Sequence, residues 1–204
     1  MVSIQSGRMA VPELRSKRLR LRALTARDRD AWFDLRQANA AWLKPWDPTN
    51  PLGLRETLSY RQMLRRQRQG AMEGSGFSWV LTLPALNERR PPLIGQVSVS
   101  GVQYGAARNA SIGYWIDSSH AGFGLMPEAC ALVVEHCFTT LRLHRLEINV
   151  RPENTASLRV AAKLGFRDEG VRKDFLHING RWRDHRTFAL TADEHRGQLL
   201  EHIS

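Results

Sequence analysis

The sequence predicts an α+β protein, a mixed and mostly antiparallel sheet flanked by helices, on three observations. Runs with a period of two alternate with runs of helical spacing in the order β-α-α-β-β-β-α-β-α-β-β. Near the C-terminus, Asn179-Gly180 joins two long runs, the strongest short signal for a β-hairpin. The chain has 204 residues, 42% of them hydrophobic, enough to bury one full core. Residues 1–204 are therefore expected to form a single domain, with the patterned part at about 13–192.

The elements follow in order. Residues 18–24 (RLRLRAL) alternate apolar and basic side chains, the period of a half-exposed strand. Thr25 can then cap a helix over 25–39, with Asp28 in its first turn. The tract 41–51 (AWLKPWDPTNP) holds three prolines, which are expected to exclude regular structure. Its tryptophans, Trp42 and Trp46, either plug the core or line a substrate groove. Residues 54–69 place Leu54, Leu58, Met63 and Leu64 among basic side chains, an amphipathic helix whose basic face is either plain solvation or a contact for an acidic partner. Three strands, 77–83, 93–103 and 110–116, are joined by turn-rich segments and are expected to form an antiparallel meander. From Leu125, apolar residues recur at Ala129, Leu132, Val133, Cys137 and Leu141, one buried helical face ending near Arg142. A strand at 145–150, a short helix at 154–165, the hairpin strands 166–178 and 181–190, and a polar C-terminal helix complete the reading.

Thirty Lys and Arg against twenty Asp and Glu give a net charge of +10, which predicts attraction to nucleic acid, a ribosome, anionic lipid or a phosphorylated ligand. The basic clusters are short (KRLRLR at 17–22, RRQR at 65–68), which points to a solvated basic surface rather than a nucleic-acid arm. Cys130 and Cys137 are seven apart on a helical segment and match neither a zinc pattern nor a CxxC pair. They read as reduced, buried thiols, and no metal is expected. The N-terminal stretch MVSIQSGRMAVPELR carries no signal-like apolar run, and nothing later reaches the length of a membrane span, so a cytoplasmic protein without a membrane partner is expected. Met9 is an alternative start.

The stretch HAGFGLMPEA (120–129) sets two glycines between a strand and a helix. A dinucleotide fingerprint would need a third glycine where Pro127 stands, and no Gly-Lys-Ser/Thr of a phosphate-binding loop follows. Two readings remain: a close strand-to-helix turn with Pro127 starting the helix, or an anion cradle of free N–H groups at a helix N-terminus. About thirty residues on come a strand, then Asn154, Ser157 and KLGF at 163–166.

This set of stretches, namely RLRLR, WLKPW, IGYWID, GFGLMPEA, PENTAS, AAKLGF and especially KDFLHINGRWRDH at 173–185, resembles the GNAT superfamily of N-acetyltransferases and, within it, the ribosomal-protein alanine N-acetyltransferases of the RimJ and RimL type. The resemblance implies a central strand pair that splays apart to take acetyl-CoA as co-substrate. The diphosphate would rest on the backbone N–H groups of Gly122, Phe123, Gly124, Leu125 and Met126. The pantetheine arm would run along Trp115, Ile116 and Asp117, with Asn154 on its other side. The chain departs from the family in two places: Ala121 and Phe123 stand where polar or basic residues are common, and Pro127 removes one N–H.

Acetyl transfer needs a neutral amine, a donor for the developing oxyanion and a proton for the leaving thiolate. A strand N–H, that of Ile116, suits the oxyanion. Ser157 either orients and protonates the thiolate, as the resemblance implies, or is a helix-start serine bonded to backbone. Some relatives use a glutamate as base, but those positions correspond to Asn149 and Leu176 here. Glu147, on the same strand face as Asn149, is either a base acting through water or an ordinary ion-pairing residue. His177 and His185 either titrate in catalysis or serve the hairpin. A peptide α-amine, with a pKa of about 7.7 to 8.0, is partly neutral at pH 7, whereas lysine near 10.4 is not, so a weakly equipped site favours a protein N-terminus. The expectation is a cytoplasmic, acetyl-CoA-dependent enzyme that acetylates the N-terminal alanine of a protein, a ribosomal protein in particular, with ribosome or RNA contact through its basic surface. A small-molecule amine as acceptor, or a basic RNA-binding factor with little catalysis, are the competing readings.

Overall fold

A computed structural model of the chain describes residues 10–53, 58–84, 91–195 and 197. Two residues absent from the sequence reading open the sheet: Leu14–Arg15 (β1) pairs antiparallel with Arg20–Arg22 (β2). Thr25 then begins a helical segment as expected. Its N–H and hydroxyl donate to Asp28 at 2.8 and 2.6 Å, and Arg22 grips the same carboxylate with two bonds of 2.8 Å. One 3₁₀ turn, Ala26–Asp28, leads into α1, Arg29–Ala38.

The proline-rich tract is more ordered than expected. Ala40–Leu43 (α2) forms one helical turn, because the first ring, Pro45, bars only the positions around itself. The next helix, α3, runs over Tyr60–Glu73 rather than 54–69. Ser59 caps it, accepting from the Gln62 amide while Gln62 accepts from the Ser59 amide, and Gly74 ends it at φ +71°. Residues 54–57 lie outside the described residues.

The meander forms as expected from Phe77–Thr82 (β3), Leu93–Gln103 (β4) and Asn109–Ile116 (β5). Leu125–Thr139 (α4) stops short of Arg142, which takes a left-handed φ of +53° in the turn to Arg145–Val150 (β6). Thr155–Lys163 (α5), Arg167–Ile178 (β7) and Arg181–Thr191 (β8) follow. Asn179 and Gly180 sit at φ +47° and +79°, both left-handed as a two-residue hairpin turn of this type requires. The expected C-terminal helix falls on residues beyond His195, nearly all outside the described ones.

Among the described residues the strands form one eight-stranded sheet in the order β1-β2-β3-β4-β5-β6-β8-β7, in which only β5–β6 is parallel. On one face Trp79, Val97, Ile112, Leu146 and Ile148 pack with buried residues of α4 and α5 into the main core. The other face is covered over β3 by α1 and α3, where Val80, Tyr60, Leu64 and Trp32 pack together. Farther along that face the side chains become polar: Ser111, Glu147, Asn149 and Thr187. The thiols of Cys130 and Cys137 are free and buried, and burial pushes Cys137 up to about 12, so neither is reactive near neutrality. Among the described residues no helix is long and apolar enough to cross a membrane.

Candidate active site

The parallel strands part company early. β5 and β6 pair from Asn109–Arg145 to Ser111–Glu147 and no farther, although both strands continue. Asp117 donates its N–H to Ile94 on β4 at 2.8 Å, so by strand alternation the N–H and C=O of Ile116 point the other way, into the notch. That carbonyl receives the indole N–H of Trp42 at 3.1 Å. Gly95 makes the bend feasible. A Cβ there would lie 2.5 Å from the Trp115 carbonyl oxygen, so only glycine lets β4 stay this close to β5.

Beyond the notch the chain is anchored before it turns. Asp117 accepts from Asn39 and His120 at 2.8 Å each and from the Ser119 hydroxyl. Burial opposes its charge, but these bonds from Ser119, Asn39 and His120 outweigh it and hold the carboxyl at about 2. Asn39 is itself buried and also accepts from the Ser118 amide at 2.8 Å, so the end of α1 fixes the exit of β5.

Gly122 and Gly124 follow at φ +87° and +77°, which only glycine adopts at no cost. The amides of Leu125 and Met126 open α4 and have no acceptor within the helix, while Pro127 has no N–H to offer. A Cβ on Gly124 would lie 3.6 Å from an Arg18 guanidinium nitrogen and 3.9 Å from the Lys163 ammonium. Arg18 is steered there by the buried Glu128, to which its Nε donates at 2.7 Å, and by the Phe123 carbonyl at 3.1 Å. Free amides under two cations fit a diphosphate. Phe123 itself is 68% exposed.

The opposite wall is the start of α5. Asn154 caps it, accepting from the Ser157 amide at 3.1 Å, which leaves its NH₂ group as a donor. Ser157 is half-buried, and its carbonyl accepts from the Tyr114 phenol at 3.2 Å, tying α5 to β5 across the notch. Burial raises the Tyr114 pKa, so the phenol stays protonated.

The polar face holds the remaining candidates. Glu147 accepts from Arg145 at 3.1 and 2.9 Å and from Arg172 at 3.1 Å, so both its oxygens are engaged by cations. Asn149 accepts from Thr187 at 2.8 Å. Trp115 lies under the Arg36 guanidinium at 5.1 Å. Neither tryptophan of the proline-rich tract plugs the core: Trp42 is 42% exposed at the β5 side, and Trp46 lies under Arg151, at the end of β6, at 5.2 Å. The two indoles thus bracket the mouth of the notch. Their tract is held against the hairpin, where Thr49 bonds the His177 carbonyl at 2.9 Å through its amide and accepts from the Gly180 amide at 3.0 Å. The structure therefore brings together Trp115, Ile116, Asp117, Trp42 and Trp46 around the notch. Gly122 to Met126 stand on one wall and Asn154 with Ser157 on the other. Sequence reading missed Gly95, Asn39, Arg18 and Lys163. An isolated glycine inside a strand was the available signal for Gly95, whereas the other three act on residues far away in the chain.

Residues 18–167 match the family described as Acetyltransferase (GNAT) domain. Ribosomal protein uS5-alanine N-acetyltransferase of Escherichia coli (strain K12) is 34% identical over 189 residues, covering 92% of this chain and 95% of that protein. Probable N-acetyltransferase YjcK of Bacillus subtilis (strain 168) is 46% identical over 98 residues, 48% of this chain and 54% of its own length. Among solved structures, Mycobacterium smegmatis RimJ in complex with CoA-disulfide superposes with a TM-score of 0.83 at 36% identity, covering 95% of this chain and 92% of that one. Fold, notch and sequence likeness agree, and the chain belongs to the GNAT family of acetyltransferases.

Proposed function

We propose that this protein transfers the acetyl group of acetyl-CoA to the N-terminal α-amine of a protein, with alanine as the first residue and a ribosomal protein as the acceptor. One observation carries the reading: β5 leaves β6 after Ser111–Glu147 and turns a free edge towards a notch flanked by a glycine turn and two cations. The near full-length likeness to an alanine N-acetyltransferase supports the choice of acceptor.

The co-substrate supplies a thioester, whose carbonyl carbon accepts the amine. The chain's residues do the rest. The amides at the start of α4, with Arg18 and Lys163, hold the diphosphate, and the free NH₂ of Asn154 holds the arm from the other wall. The Ile116 N–H points to where the carbonyl oxygen gains charge, and a donor of this kind contributes about 2.7 to 4 kcal/mol. Ser157, at the start of α5, offers its hydroxyl to the leaving thiolate. Glu147, held by two arginines, keeps the polar face in shape rather than taking a proton. Trp42 and Trp46 flank an open mouth, suited to an extended N-terminus.

An acceptor screen tests this. With acetyl-CoA, alanine-started peptides should release thiol and gain an acetyl group that mass spectrometry places on the α-nitrogen, while the same peptides with blocked α-amines should not react. Acetylation confined to small amines, or RNA binding without turnover, would overturn the reading.

A further inference from the structure

If Glu147 is occupied by arginines, the proton of the acceptor ammonium needs another destination. One buried group on the same face answers to that need. His185 on β8 is two residues from Thr187, and Thr187 faces Asn149 on β6, so the imidazole stands on the polar face with Asn149. Register also fixes its height. Val150 is opposite Arg186, so His185 is level with Arg151; extending Ser111–Glu147 upward brings Trp115 level with Arg151 as well. His185 thus stands at the mouth of the notch, across β6 from Ile116, farther away than the roughly 10 Å of two ordinary strand spacings because β5 and β6 have parted there.

The ring is held in one state. Its Nδ1 is 3.0 Å from the Arg183 carbonyl, which can only accept, so Nδ1 carries the hydrogen and Nε2 presents a lone pair. Phe175 packs edge-on against it at 5.9 Å. Only 3% of the residue is exposed, yet among the described residues Nε2 has no partner. Nε2 is nevertheless not among the fully buried unpaired atoms, so the nitrogen itself keeps contact with solvent on the notch face, where a substrate or a water can reach it.

We propose that His185 is the proton acceptor of the reaction, its Nε2 taking a proton from the acceptor α-ammonium directly or across one water. This rests on the acetyltransfer reading above. The ammonium gives one proton to Nε2 and becomes the nucleophile; the new N–C bond forms as the C–S bond breaks; the second proton leaves nitrogen for the thiolate; and the imidazolium returns its proton to solvent. Charged groups face the ring from each side: Arg151 from β6, Glu153 from the loop before α5, Arg183 and Asp184 from β8 itself, and Arg172 opposite it on β7. Burial, with Arg151 helping, outweighs the Arg183 carbonyl bond and the charges of Glu153 and Asp184, which oppose it, and moves the pKa below the usual histidine value, which keeps Nε2 unprotonated at neutral pH.

The test is the pH dependence of kcat with an alanine-started peptide, in the wild type and in His185→Asn. Asparagine keeps an N–H for the Arg183 carbonyl but has no Nε2. The wild type should lose activity on the acid side as one group below the usual histidine range takes up a proton. His185→Asn should lose that limb and fall about 100-fold in kcat at pH 7, the lower range for general base catalysis. Its affinity for CoA and its melting temperature should stay close to wild type, and the defect should shrink above pH 8 as the amine becomes neutral unaided. His185→Gln should behave alike. A wild-type profile without the acid limb, an unchanged kcat in the variants, or a parallel fall in kcat, CoA affinity and melting temperature would each overturn the proposal while leaving acetyltransfer intact. A wild-type protein that releases no thiol with any amine would instead remove the reading on which it rests.

Discussion

The two sides of the notch are made of different material. On the α4 side, the groups offered to a ligand belong to the main chain: the Ile116 edge, the glycine turn and the first amides of α4, with Arg18 and Lys163 added at its rim. On the polar face, everything offered is side chain, drawn from α2 and the tract after it, β5, β6 and the β7–β8 hairpin. A main-chain site depends on backbone path and is indifferent to most side chains. A side-chain site can change its acceptor by exchange of single residues while the cofactor wall stays as it is.

The sharpest way to break this contrast is Gly95→Ala. The added Cβ would meet the Trp115 carbonyl oxygen at 2.5 Å and push β5 out of its path. A loss of about 1 to 3 kcal/mol in stability is expected, with CoA affinity reduced more than tenfold, read by thermal melts and calorimetry. If CoA still bound normally, the backbone path would not be what makes the wall.

Next comes Asn39→Ala, which strands the Ser118 amide and removes a donor from Asp117. A cost of about 1 to 3 kcal/mol is expected for unpairing buried groups. The sign of the acid effect follows from Asp117. Its carboxyl sits at about 2 in the folded protein against 3.8 ordinarily, so its stabilisation is complete above pH 4 and is lost as pH falls towards 2. Denaturant melts across that window should show the variant losing its stability at higher pH than the wild type.

Smaller effects separate the two sides. Trp42→Phe deletes one hydrogen bond to Ile116, about 1 kcal/mol. It should raise the KM for the peptide several-fold with CoA affinity unchanged. Lys163→Met should do the reverse. An exposed cation contributes about 0.2 to 1 kcal/mol, so CoA should bind a few-fold more weakly, pantetheine equally well, and the peptide KM should not move. A Lys163 variant that altered peptide KM would blur the division.

The contrast also explains what could be read from the sequence. Alternation in β3 to β5, the Asn179-Gly180 turn and the paired glycines before α4 are local signals, and each produced its element. The family pattern singled out the turn before α4 because glycines mark a backbone path. What escaped was non-local. Leu14–Arg15 is too short to show a period, and the parallel pairing of β5 with β6 joins residues 36 apart. Asn39 acts on Asp117, 78 residues on, and Arg18 on Glu128, 110 residues on. The sequence could name Glu147 as a carboxylate on the right face, but not that Arg145 and Arg172 hold it.

Hydrogen exchange with and without CoA tests the main-chain wall most directly. Adding CoA should slow exchange at amides 116 and 122–126 and at the start of α5, while the β7–β8 hairpin and the tract around Trp46 exchange as before. No protection at 116 and 122–126, or protection confined to the hairpin, would contradict the account.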